Sequence, residues 1–116
     1  MYSIPSQNSE WREKYEAELR QARSAREKQN EGMARVCARR AVGIVIGEYL
    51  NKLGYQSPSN SAHDRLRYLV ASPNLPEDTR EVARHFLIKV DPDYRLPIEV
   101  DLIAEAEWLC QALLPD

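Results

Sequence analysis

The sequence predicts an all-α fold, an up-and-down antiparallel bundle of about five helices. Three observations lead there. Apolar residues recur at spacings of three and four in successive stretches, and no stretch alternates with the period of two that a half-buried strand requires. Proline, glycine and asparagine fall between the stretches, where turns belong. The chain has 116 residues, a mass of 13.4 kDa and 43% apolar residues, enough for one core without staples of disulfide or metal.

Residues 1–8, with Ser3, Pro5 and Ser6 and no periodicity, read as a loose tail ahead of a single domain over 9–116. Ser9 is a candidate N-cap for a first helix, with Glu10 and Glu13 at its positive end. Trp11, Tyr15, Leu19 and Ala22 form one narrow apolar stripe on that otherwise charged helix, and Asn30-Glu31-Gly32 is the expected break. The next stretch, Met33 to Leu53, contains the β-branched run Ala41-Val42-Gly43-Ile44-Val45-Ile46, which taken alone passes for a strand. Its surroundings decide otherwise. Val42, Val45, Ile46, Tyr49, Leu50 and Leu53 keep helical spacing, and Met33, Cys37, Ala41 and Ile44 form a second stripe. A helix apolar on two faces is the central one, and Gly54 supplies its left-handed stop.

Gly43 and Gly47, one turn apart, permit close approach of another helix, either inside the domain or across a homodimer seam. A third helix follows, with Ser61 and Asp64 resembling a capping box and Ala62, Leu66, Leu69 and Val70 inward; Pro73 ends it. A fourth starts with Pro76 in its first turn and carries Thr79, Val82, Ala83, Phe86, Leu87 and Val90. After a loop over 91–97, Pro97 is the expected start of a last helix with the stripe Leu102, Ile103, Ala106, Leu109, Cys110 and Leu113.

Lys plus Arg number 16 and Asp plus Glu 18, which excludes binding of nucleic acid by bulk positive charge. The balance is uneven, however: residues 1–90 hold 15 bases and 11 acids, and residues 91–116 hold one base and seven acids. Arg20, Arg23 and Arg26 on the first helix and Arg35, Arg39 and Arg40 on the second therefore either pair with the acidic last helix (Asp101, Glu105, Glu107) or face a ligand. The longest apolar run, Ala41 to Ile46, is far short of the roughly 20 residues of a membrane helix. Met1-Tyr2-Ser3-Ile4-Pro5 lacks the basic and apolar regions of a secretory signal, and two cysteines make no disulfide framework, so a cytoplasmic location with buried, reduced Cys37 and Cys110 is expected.

No phosphate-binding glycine loop, nucleophile elbow or zinc helix is present, and two His and two Cys without short spacing offer neither a metal site nor a cofactor site. His63 opens the third helix beside Asp64. His85 stands four residues after Glu81, a local pair, and five after Arg80, an offset that turns the two side chains about 140° apart on a regular helix.

Several motifs, in order, resemble the HEPN family of small helical-bundle domains. They are Trp11 with its charged helix, Asn30-Glu31-Gly32 before an Ala-rich second helix, Ala62-His63-Asp64-Arg65-Leu66, Leu75-Pro76-Glu77, and Tyr94-Arg95-Leu96-Pro97. The resemblance implies an antiparallel bundle, often a homodimer, that works beside a nucleotidyltransferase-type partner or on a nucleotide or RNA ligand. Some HEPN proteins are metal-independent ribonucleases with an Arg followed four to six residues later by a His. Arg80 and His85 meet that spacing, but no His follows Tyr94-Arg95 at the start of the last helix, where the family places the motif. The expectation is therefore a non-catalytic binding module with Arg39, His63, Tyr94 and Arg95 as its ligand or interface cluster. A ribonuclease built on Arg80 and His85 and a dimeric scaffold without a small ligand are the alternatives.

Overall fold

The computed structural model describes residues 6–89, 96 and 98–115. Among these the chain forms five helices and no strand: α1 (Ser6–Glu27), α2 (Glu31–Lys52), α3 (Ala62–Val70), α4 (Glu77–His85) and α5 (Leu102–Leu113). The all-α bundle expected from spacing is the fold observed.

α1 already runs at Ser6, so Ser9 lies inside the helix rather than capping it. No Gly or Pro stands between Ser6 and Ser9 to stop the helix there. The break between α1 and α2 comes at Gln29, the one described non-glycine residue with positive φ (65°). Asn30 then caps α2, its side chain accepting from the Met33 N–H. α2 ends as expected, with Gly54 at φ 80°, in the left-handed region that glycine enters without strain.

α1 and α2 form an antiparallel hairpin, Gln21 lying against Cys37 and Trp11 beside Ile44 and Gly47. α2 is the central helix, packed on α1, α3 and α5. Its Val42, Val45 and Ile46 are fully buried with Leu66 and Leu69 of α3, Phe86 just past α4, and Leu109 of α5. Each such aliphatic or aromatic side chain contributes roughly 1.5–3 kcal/mol by leaving water. Met33 and Leu53, the outermost residues of the two stripes, are 45% and 50% exposed.

The segment between α2 and α3 folds back along α2. Ala62 sits against Gly43, Arg65 over Gly47, and Tyr68 near Tyr49 and Leu53, so α3 runs in the same sense as α2. The expected up-and-down antiparallel order is broken here, because the segment over 53–61 is long enough to carry the chain back along α2. A Cβ on Gly43 would lie 2.7 Å from the Ala62 Cβ and 3.0 Å from its Cα, and one on Gly47 would strike the Arg65 guanidinium. The close approach that the two glycines permit is thus made by α3 of the same chain. Arg65 is anchored there: Nη1 donates to the Gly43 carbonyl (2.9 Å), Nε to Ser57 Oγ (2.9 Å) and the Ser59 carbonyl (2.8 Å), and Nη2 to Asn60 (3.3 Å).

Ser61 caps α3 through the Asp64 N–H, but Asp64 takes its own bond from the Ser59 hydroxyl, so only half of a capping box forms. Pro76 is the N-cap of α4 rather than its first helical residue, and α4 stops at His85, leaving Leu87 beyond its end. Val90 lies outside the described residues. α5 begins at Leu102, later than the start expected at Pro97, which is also outside the described residues. The Asp101 carboxylate fixes this start by accepting from the N–H groups of Ile103 and Ala104, after a stretch with the β-branched Ile98 and Val100. The six stripe residues of α5 are all buried, and Cys37 and Cys110 are buried cysteines outside any disulfide.

Candidate ligand-binding groove

Arg35 and Arg39 are one turn apart on α2, which puts both on the same face. His63 arrives beside them because Gly43 lets the start of α3 approach α2 so closely. The third wall comes from the chain leaving α4, which turns at Phe86 and places Leu87, Ile88 and Lys89 along the same side. The space between is a groove of about 610 Å³; its described lining is completed by Gly32, Val36, Leu96 and Leu102. None of these described lining residues is a carboxylate, whereas Arg35, Arg39, His63 and Lys89 all carry or can carry positive charge.

Arg39 is the half-buried member of the set. Its Nε donates to the Phe86 carbonyl at 3.2 Å, which ties the end of α4 to α2. Burial lowers its pKa from the ordinary arginine value, and the neighbouring Arg35 charge lowers it further. Among the described residues no carboxylate contributes to the Arg39 shift.

The other arginines are served differently. Arg23 of α1 pairs with Glu107 of α5. Arg26 bridges Glu31 at 2.7 Å and Asp101 at 2.9 Å, and the Glu31 bond leads the effects that hold its pKa above the ordinary value. The pairing of the Arg-rich first helix with the acidic last one is therefore realised at these positions. Glu105, two residues before Glu107, diverges from it and faces α4 instead.

The sequence cluster of Arg39, His63, Tyr94 and Arg95 is resolved in part. Arg39 and His63 line the same groove, while Tyr94 and Arg95 lie outside the described residues. Arg80 and His85 share α4 but are held by different carboxylates. Arg80 Nη2 bonds Glu77 at 2.9 Å, whereas His85 Nδ1 meets Glu105 at 2.7 Å and its Nε2 faces Glu81 at 3.5 Å. An ionised carboxylate only accepts, so Nδ1 carries a proton in that contact.

Two residues escape sequence reasoning. Lys89 joins the groove only because α4 stops at His85, and nothing in the local pattern marks that stop. Arg65 has a signal in hindsight: Gly47 leaves the space that its guanidinium fills. Among the described residues no group of three or more His, Cys, Asp or Glu is placed to hold a metal ion, and no helix is long and apolar enough to cross a membrane. No protein-family model, curated protein or solved structure matches the chain.

Proposed function

We propose that the chain is a non-catalytic, HEPN-like binding module whose groove receives the anionic group of a nucleotide-type ligand or of a partner protein. The observation that carries this reading is Arg39. A guanidinium withdrawn from water beside a second arginine, with no carboxylate among the described neighbours, is costly to the free protein, and an arriving anion removes that cost. Lys89, from the chain leaving α4, adds to the positive field of the groove, and His63 of α3 lines it too.

The reading assigns no reaction to Arg80 and His85: Arg80 Nη2 pairs with Glu77 and both His85 ring nitrogens face glutamates, while Arg80 Nε is buried without a partner among the described residues. It retains Tyr94 and Arg95 as further ligand contacts on the sequence resemblance alone. The same resemblance is the support for a homodimer and for a nucleotidyltransferase-type partner; a cytoplasmic setting rests on two cysteines that make no disulfide framework.

Calorimetric titration with AMP, ATP and inorganic phosphate, run on the wild type and on Arg39→Gln, tests the proposal. Wild type is expected to bind a phosphate-bearing probe, and the variant to bind it about tenfold or more weakly, as befits one charged hydrogen bond. Absence of binding to every probe removes the ligand reading. Incubation with single-stranded RNA and a chelator should leave the RNA intact; cleavage abolished by His85→Ala in a folded variant would put the ribonuclease in its place.

A further inference from the structure

The walls between the groove's charges bear on which anion it takes. Val36, Phe86, Leu87, Leu96 and Leu102 line it, and none of their side chains can donate or accept a hydrogen bond. A ribose or the edge of a base laid against that floor would lose its hydrogen bonds to water and gain none from these side chains, a penalty an apolar body avoids. The charged rim adds a second constraint. Arg39 spends Nε on the Phe86 carbonyl, so its Nη1/Nη2 end is the edge left for a ligand, the edge that matches the two oxygens of one carboxylate. At about 610 Å³ the groove is within the range that buries an organic ligand of drug size.

We propose that the preferred ligand is an amphipathic organic acid, with its carboxylate on Arg39 and an alkyl or aryl body along Val36, Leu87 and Leu102. The proposal rests on the reading of this groove as an anion site and puts an organic acid in place of the nucleotide-type ligand. Exposed Lys89 adds a positive charge to the groove lining, and exposed His63 adds a ring nitrogen able to hydrogen-bond the acid. Lengthening the body should tighten binding about fourfold for each methylene buried, whereas replacing the carboxylate with an amide should weaken it about tenfold or more.

The test is a calorimetric titration of the whole chain with butyrate, hexanoate, decanoate, decanamide and AMP, with backbone amide shifts followed by NMR. Decanoate is expected to bind best, with decanamide and butyrate each weaker by about tenfold or more, and with the largest shifts at Val36, Leu87 and Ile88. His63→Glu and Lys89→Glu, both at exposed positions, should weaken decanoate while leaving Tm unchanged. These variants keep the test alive where Arg39→Gln disturbs the bond to Phe86. Saturable binding of AMP without decanoate overturns the organic-acid proposal and leaves the phosphate reading standing. Failure of both probes overturns both. Equal affinity for decanoate and decanamide, or shifts confined to another face, also overturns it.

Discussion

Two sets of arginines in this molecule answer the same electrostatic problem in opposite ways. On the face between α1 and α5, Arg23 and Arg26 meet Glu107, Asp101 and Glu31 at the surface, with 36% to 54% of the side chains exposed. In the groove beside α2, Arg39 is half-buried and takes a backbone carbonyl, next to another cation. The first set satisfies its charges at home and gains little energy, because water competes for exposed ion pairs. Arg39 leaves part of its hydrogen-bonding capacity for something outside the described fold. Arg65 is the intermediate case. It is also partly withdrawn from water, and burial likewise lowers its pKa, but four protein acceptors surround it. Burial of an arginine therefore does not by itself mark a binding site; the proposal rests on Arg39 because it lines the groove with its Nη atoms still available.

Replacing the anchor should produce the largest effect. Arg65→Ala removes the bonds that hold the segment over 57–60 to α2, and about 2–3 kcal/mol of stability should go with them in denaturant unfolding. If Arg65→Ala is neutral, the distinction between anchored and available arginines collapses. Arg39→Gln should cost about 1.5 kcal/mol or more of anion affinity, yet change folding stability less than Arg65→Ala does. Relief of the desolvated charge offsets the lost bond to Phe86.

The exposed face should respond least to mutation and most to salt. Arg26→Ala is expected to lose about 0.5–1 kcal/mol at low ionic strength and less at high salt. A loss as large as that of Arg65→Ala would show that surface pairing contributes more than this comparison assigns to it.

The smallest effect is a pH dependence at Asp101. Burial alone would raise its pKa, but Arg26 and the N–H groups of Ala104 and Ile103 outweigh that and hold it below the ordinary carboxylate value. A depressed folded pKa means the contribution is full above the unfolded pKa, near 4, and is lost as pH falls through the lower folded value. With the side chain 54% exposed, roughly a few tenths of a kcal/mol is involved. Thermal melts of wild type and Asp101→Asn from pH 6 to 2 should converge at the acid end.

Most of the helical architecture was legible from spacing. The two stripes of α2 identified the central helix although its β-branched run resembles a strand, because burial on two sides follows from where apolar residues fall at 100° per residue. The ends of helices were less legible. Ser9 had the chemistry of a cap, but α1 is already helical from Ser6, and the last helix starts at Leu102, where the Asp101 carboxylate caps it. The groove was half legible: Arg39 and His63 stood out as charged residues, but their meeting depends on Gly43 admitting Ala62.

By itself the sequence determined what each segment becomes, since helical periodicity, glycine stops and side-chain caps act within a few residues of where they stand. It also showed that the last helix is acidic, with Arg20, Arg23 and Arg26 of the first helix as candidate partners. Tertiary structure alone decided which arginine meets a carboxylate. Arg26 and Arg39 have the same side chain and both sit on arginine-rich helical stretches. Only the packing of α5 on α1 brings Asp101 to the first, and only the approach of α3 and the exit of α4 surround the second with His63, Phe86 and Lys89. The pairing of a charge is a property of positions distant in sequence, and those distances are set when the core closes.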